Sequence, residues 1–546
     1  MSTGSSTARR QDGDVDRTPS PRADVCIVGA GPAGALVAHR LASGGYDVVV
    51  LEAGPRFDPA DRPERMERHI RPSHGPEDVW DMGGSRDAYT NAGEEHYPLN
   101  AARVKGVGGT TLHWQGMVFR LHESDFERRS RHGVERDWPI GYDDLRPYYA
   151  EAETELGVAG ADDNPFAPPR EEPFPMPAFR PSYSDSLFAE ACEELGIAMH
   201  SAPNARNSEA RDGRSVCQGY GTCKPVCPSG AKYDATVHVA KAEAEGARVI
   251  DRAPVQRIEH DRPGETVDAV VYATPDGEEH RQEARQFVLA AGGIEIPRLL
   301  LLSRSEEHPD GLANSSGAVG RYFMDHLFAG MGGELDEPTR QKHVGFITSE
   351  CHQFYDDVDE SAGPYKLEFL NYAGPSPVNV ALSTGSEAAW GDALADEIRG
   401  TYGNRIAMGG LCGQPPRAEN RITLNPDVTD DHGNPVPEIH WSLGERERRT
   451  IEAANERQAA IMDELGVDVD WVAGPDATGP AFHHMGTTRM GTDPEESVVT
   501  PRLRTHDLDN CWIASSSTFV TGGALNPTLT IAALALRAAD AISEQL

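Results

Sequence analysis

Apolar residues in the first part of the chain come in short unbroken runs rather than in alternation. Val25-Cys26-Ile27-Val28 and Val48-Val49-Val50-Leu51 are two such runs, and Phe287-Val288-Leu289-Ala290-Ala291 is a third. Runs of this length, bounded by glycine and rich in β-branched residues, suit strands buried on both faces of a parallel sheet. Between the first two lies a helix-like stretch from Ala35 to Ser43, closed by Gly44-Gly45. The pattern predicts a strand–turn–helix–strand unit starting at Ala23.

Further along, the pattern predicts helices over Tyr142–Glu155, about 184–195, Thr236–Glu245 and from about Glu295, and a strand over Arg248–Ile258. Residues 55–95 are polar, broken by proline and glycine, and read as a surface crossing. Residues 160–182 are proline-rich and read as a linker or domain crossing. Residues 325–475 have a different texture, irregular and partly alternating, with one clear helix near 444–465. The last 60 residues return to the first texture, with a strand at Cys511–Ala514 and a helix from Asn526 to Ile542. The fold class is α/β, a Rossmann-like unit joined to an α+β domain with an antiparallel sheet.

Composition narrows the function. The 546 residues exceed one ordinary core, and 38% hydrophobic with 25% charged is globular. Acidic residues number 87 and basic ones 51, a net charge of -36. That excess repels phosphate, so a nucleic-acid partner is excluded. No run reaches the ~18 apolar residues that span a bilayer. The first 22 residues lack an apolar export core around Arg9-Arg10 and read as a disordered leader. Localisation is expected to be cytoplasmic, or peripheral at a membrane through a partner. Only six basic residues are lysine, namely Lys105, Lys224, Lys232, Lys241, Lys342 and Lys366. A carboxylate-rich, lysine-poor surface suits a saline cytoplasm, where screening removes self-repulsion. A bland solubility role explains the same charge.

Gly29-x-Gly31-x-x-Gly34 sits between the first strand and its helix, and Glu52 closes the next strand. In that context the motif reads as a dinucleotide site. Gly29 permits the turn, Gly31 the approach of a pyrophosphate, and Gly34 close packing of helix on strand. Glu52 suits ribose hydroxyls. The motif alone leaves NAD and FAD open.

Two further blocks separate them. Val104–Gly116 carries Gly108-Gly109-Thr110-Thr111-Leu112-His113-Trp114, and the C-terminus carries His483-His484-Met485-Gly486-Thr487 and Asn526-Pro527-Thr528. With the first fingerprint, these resemble the glucose–methanol–choline (GMC) oxidoreductases nearly end to end. The resemblance implies FAD, with contacts at Gly108, Gly109, Thr110, His113, Val255, Ser515 and Thr528. It implies an FAD-binding domain from 23–160, 211–325 and 479–546, and a substrate domain from 161–210 and 326–478. It also implies the chemistry. A base takes the hydroxyl proton of an alcohol, and the carbinol hydride passes to flavin N5. The match carries the base onto His483, with His484 as its rival, and a hydroxyl-orienting role onto Asn526. Asn526 before Pro527 also suits a helix N-cap. Some relatives bond a histidine at the place of His113 covalently to the flavin, and others do not. Many carry an aspartate where this chain has Ser515.

Three of the eight cysteines cluster as Cys217-x5-Cys223-x3-Cys227. The spacing leaves a disulfide, a zinc site with His238 as fourth ligand, and an iron–sulfur cluster open. The surroundings resemble one GMC subgroup, the flavoprotein subunits of FAD-dependent glucose, gluconate and sorbitol dehydrogenases. There such a loop holds a 3Fe-4S cluster. The resemblance implies a dehydrogenase of a sugar, sugar acid, polyol or other alcohol. It would pass electrons to a cytochrome, quinone or similar carrier, with a small companion subunit as a candidate partner. The alternatives are an oxidase making peroxide with a structural cysteine loop, and an electron-transfer subunit without its own substrate.

Overall fold

A computed structural model describes residues 16–70, 76–101, 103–341, 344–373, 378, 381, 389–401 and 403–546. It is built on two sheets. In the first, Arg248–Ile250, Val48–Leu51, Ala23–Val28, Glu279–Leu289 and Cys511–Ile513 lie side by side and parallel. The predicted apolar runs are all here. The four residues of Val48–Leu51 are buried, as both faces of a covered parallel sheet require. The N-terminal half of Glu279–Leu289 leaves that plane and pairs antiparallel with Val267–Ala273, which pairs with Val255–His260. The single strand expected over Arg248–Ile258 is therefore two strands in different surroundings. Arg252 turns the chain at φ +51° and Pro254 has no N–H to continue a ladder.

Helices cover one face. Pro32–Ser43 begins at the proline, three residues before the expected start. It packs with Thr236–Ala244 and with Thr528–Ser543, which is buried nearly all round and packs in turn on Tyr142–Leu156. Arg40 ties Pro32–Ser43 to the last two, bonding Glu151 at 2.5 Å and Asp540 at 3.0 Å.

The second sheet is antiparallel, in the order Asp468–Ala473, Leu327–Glu334, Arg405–Cys412, Tyr365–Leu370, Ser349–Cys351 and His200–Ser201. The Glu445–Glu464 helix covers it. Gly330 and Gly409 face each other in register, and a Cβ on either would strike the Phe328 ring within 2.8 Å. These glycines let the ring lie flat across its own sheet. A three-stranded sheet of Arg421–Thr429, Pro435–His440 and Thr90–Asn91 packs on the Gly292–Leu302 helix.

Two expectations are corrected. Residues 55–95 are more than a surface crossing, because Phe57, Val79 and Trp80 form a small core with Val104, Leu112 and Val226. The expected leader lies outside the described residues up to 15. From there the chain is docked, with Arg17 bonding the Asp251 carbonyl at 2.8 Å and Gln282 accepting from Ser20 N–H. Among the described residues, no helix is long and apolar enough to cross a membrane.

Candidate active site

The two glycine-rich turns meet. Gly29 has φ +104°, and a Cβ there would lie 2.7 Å from the Ala290 carbonyl oxygen. A Cβ on Gly34 would lie 2.0 Å from the Gly29 carbonyl oxygen, so only glycine lets the helix descend on this strand. Gly108 donates to the Ala30 carbonyl, and Gly109 at φ +56° abuts Gly31. A Cβ on Gly31 would meet nothing nearer than 4.0 Å, and the open side is a cavity of about 2120 Å³.

That cavity runs from the first glycine turn to the antiparallel sheet. Gly29, Gly31, Glu52, Gly109, Thr110, His113, Val255, His483, Ser515, Asn526 and Thr528 all line it. Gly34 and Gly108 lie behind the lining. Glu52 accepts from Ala30 N–H at 2.8 Å and Gly54 N–H at 2.9 Å, and burial raises its pKa to about 7. Ser515 accepts from Ser517 N–H and lies at the head of a short turn. Neither ring nitrogen of buried His113 has a hydrogen-bond partner among the described residues, and burial holds its pKa well below the ordinary value. Such an imidazole, facing a long cavity at a dinucleotide turn, fits contact with a bound cofactor.

At the far end, Asp325 holds the turn that carries His483. It accepts from Phe482 N–H at 3.0 Å, His483 N–H at 2.7 Å and His326 N–H at 2.6 Å, and it also bonds the Tyr97 hydroxyl. The His326 ring links His483 to the backbone. Its Nε2 lies 3.1 Å from the Gly522 carbonyl, and its Nδ1 lies 2.8 Å from His483 Nδ1. A carbonyl only accepts, so Nε2 of His326 carries the proton. Burial pushes His326 down to about 4 and keeps it neutral, so its Nδ1 accepts. His483 must then donate from Nδ1, which leaves its Nε2 unprotonated. Burial, with His326 and Lys366 beside it, holds His483 itself neutral. His484 packs instead against Tyr97, with ring centroids 5.7 Å apart, and burial lowers it to about 3.

Asn526 does not cap a helix. The helix starts at Thr528, and Asn526 Oδ1 accepts from Lys366 Nζ at 3.0 Å. A lysine only donates, so the amide oxygen is fixed on that side and the NH2 group on the other. His326, Asp325 and Lys366 escaped the sequence reading. Met324-Asp325-His326 fell at a domain boundary and Lys366 in a stretch without a motif, so no local signal marked them.

The cysteine loop lies beside the lining segment Thr111–Trp114. The buried Lys232 ammonium donates to the carbonyls of Trp114 at 2.6 Å and Cys223 at 2.9 Å, which joins loop to cavity wall. Trp80 Nε1 donates to Pro225 O at 2.9 Å. Arg206 lies 3.8 Å from Cys217 Sγ, and Lys232 N–H points at Cys227 Sγ from 3.5 Å. Burial opposes ionisation of Cys227, yet that N–H and the Lys232 charge bring it below its ordinary value. Burial raises Cys223, so of the three thiols Cys227 is the one brought toward the thiolate. His238 is not aimed at them. Its Nε2 meets Glu155 and its Nδ1 meets Tyr233 Oη, each at 2.8 Å, so it is no fourth zinc ligand.

A parallel sheet with a glycine-turn cavity, roofed by an antiparallel sheet and ending at a neutral histidine, defines a dinucleotide-cofactor oxidoreductase. Two GMC oxidoreductase family models match residues 27–328 and 416–535, and the chain belongs to that family of FAD-dependent oxidoreductases of CH–OH donors. It is 36% identical over 541 residues to a fructose dehydrogenase large subunit of Gluconobacter japonicus, covering 96% of this chain and 98% of that one. It is 32% identical to a 2-methyl-1,2-propanediol dehydrogenase of Mycolicibacterium austroafricanum, covering 97% and 96%. The fold matches formate oxidase of Aspergillus oryzae with TM-score 0.68 at 17% identity, covering 97% and 99%.

Proposed function

We propose that the protein is a dehydrogenase of a sugar, sugar acid or polyol, with His483 as catalytic base and Asn526 as the group that orients the reacting hydroxyl. The observation that carries this is the hydrogen-bond chain from Gly522 through His326, which leaves His483 Nε2 unprotonated in the cavity wall. FAD, when bound, supplies the acceptor for the carbinol hydride. The chain's own part is to hold the cofactor's phosphates at the Gly29–Gly34 turn, present the base, and take the hydroxyl proton on Nε2. Asn526 donates from Nδ2 to the substrate oxygen while Lys366 fixes its other end. The apolar residues Phe328, Phe346 and Leu411 line that end of the cavity. His113 is the candidate for covalent attachment, since neither ring nitrogen has a hydrogen-bond partner among the described residues.

Cys217, Cys223 and Cys227 are proposed to hold a 3Fe-4S cluster, which supplies one-electron transfer to an external cytochrome, quinone or similar carrier. The positive groups around the thiols and the join to Trp114 support this reading. Adaptation to a saline cytoplasm is supported by the lysines. None of the five described ones is exposed, so among the described residues the exposed Lys/Arg positions are all arginine. Anaerobic bleaching of the flavin by sugars or polyols, at high salt, tests the reaction. Iron and acid-labile sulfide, lost in C217S, test the cluster. Rapid peroxide formation in air with no iron would make the protein an oxidase instead. Flavin colour released wholly into the supernatant after acid precipitation would exclude a covalent bond at His113.

A further inference from the structure

Lysine is nearly eliminated from this chain, yet Lys366 sits at 0% exposure in the middle of the antiparallel sheet. It is surrounded by acid. Its Nζ lies 2.8 Å from both oxygens of Glu350, 3.0 Å from Asn526 Oδ1 and 3.0 Å from Glu368 Oε1. An ammonium has three protons, and the aligned hydrogen bonds go to Glu350 twice and Asn526 once. Glu368 has the charge beside it but no donor: its buried Oε1 has no hydrogen-bond partner among the described residues. Both carboxylates are nearly dry, Glu350 at 0% and Glu368 at 3% exposed.

The two acids have different fates. Glu350 faces Glu368 across adjacent strands and turns away from the cavity, to Lys366 and to His352 Nε2 at 3.3 Å. Glu368 lines the cavity, with Gln115, Phe346, Tyr372, His483 and Asn526. A buried carboxylate without donors costs free energy unless a ligand supplies them. Asn526 Oδ1 and Glu368 Oε1 both touch one nitrogen, so the position that orients the reacting hydroxyl and the donor-starved carboxylate are neighbours. A second hydroxyl on a substrate held at Asn526 is the kind of donor that Glu368 lacks. A simple alcohol leaves it bare.

We infer that Glu368 is a specificity-determining residue that accepts a hydrogen bond from a second hydroxyl of the substrate, so that the cavity selects vicinal polyols and sugars over mono-alcohols. Lys366 is its positioning residue, holding Glu368 and Asn526 at a set spacing. The inference rests on the proposed site, in which the reacting hydroxyl lies between His483 and Asn526. It adds a binding contact and no redox step.

The test uses flavin-loaded holoenzyme and the isosteric variant E368Q, reduced anaerobically with D-fructose and D-sorbitol and, separately, with 1-butanol. In E368Q the sugar or polyol concentration for half-maximal reduction rises about tenfold or more, while the limiting rate changes much less. The preference for polyol over butanol shrinks by a similar factor. Equal losses on polyol and butanol, or no loss on either, would overturn the inference, since a merely structural carboxylate predicts one of those two results. If E368Q does not hold flavin, E368D is measured in the same way and must show the same shift. A wild type bleached by none of these compounds would instead refute the proposed dehydrogenase activity. That failure is visible before any variant is made.

Discussion

The two ends of the cavity are built by different rules. At the dinucleotide end, the chain supplies Gly29, Gly31 and Gly34 within six residues; Gly29 and Gly34 are needed for backbone reasons, and Gly31 leaves its open side to the cavity. At the other end, the side chains that meet come from positions 97, 325, 326, 366, 368, 483 and 526, and all but Glu368 are held by a hydrogen bond to another side chain among the described residues. The first end is a local shape that tolerates almost no added atom. The second is a network of charges and hydrogen bonds whose members constrain one another. They should therefore fail differently, the first by losing the fold and cofactor, the second by losing rate, selectivity or pH tolerance.

The largest effect belongs to the first end. Gly34→Ala adds one methyl 2.0 Å from the Gly29 carbonyl, a backbone atom that cannot yield. The expected outcome is no soluble, flavin-loaded protein, measured by the ratio of flavin to protein absorbance. A normally loaded variant would remove the contrast between the two ends. Next comes His483→Asn, which should load flavin normally and slow its anaerobic reduction about 10²–10⁴-fold. The corresponding change at His484 should leave more of the rate, because that ring is packed rather than linked to His326.

Lys366→Met breaks a buried ion pair and leaves Glu350 and Glu368 without their cation. A loss of about 3–5 kcal/mol is expected, read from denaturant unfolding of the holoenzyme. The double variant K366M/E350M should recover part of that loss, while flavin reduction stays slow because Asn526 is no longer oriented. Recovery of both properties together would sink the positioning role.

The pH effect is smaller and has a definite sign. An unfolded histidine titrates near 6.5, and burial holds His326 at about 4. Between those values the unfolded chain takes up a proton that the native state refuses. The His326 contribution is therefore complete above pH 6.5 and is lost as pH falls toward 4, by about 3 kcal/mol. Burial raises Glu52 and Asp325 to about 7, and these act in the opposite sense over the same range. The informative quantity is thus the difference between wild type and His326→Gln across pH, which should slope as described. A flat difference would mean that His326 is not a buried neutral ring. Smallest is the salt effect, spread over the whole surface. Raising KCl from about 0.1 M to about 2 M should raise the melting temperature by screening the acidic excess. A melting temperature independent of salt would leave only the solubility reading.

What could be read from the sequence follows the same division. The runs at 25–28, 48–51 and 287–291 are contiguous and apolar because both faces of their sheet are covered, so they announce themselves. The strands Leu327–Glu334 and Arg405–Cys412 do not. Each is buried along nearly its whole length and carries glycine where Phe328 needs room, so neither alternation nor a β-branched run survives. Arg248–Ile258 looked like one strand because periodicity cannot show that Pro254 sends its second half to another partner.

The sequence by itself determined the dinucleotide turn, the family, the charge and the identity of His483 and Asn526 as positions of interest. A glycine's steric need and a motif's spacing are properties of consecutive residues. Only the tertiary structure decided which groups those positions meet. It placed His326 between His483 and a carbonyl, turned the Asn526 amide toward Lys366, and left Glu368 facing the cavity without a donor. Proton location and amide orientation depend on which groups meet across more than a hundred residues of chain, and no local pattern encodes such a meeting.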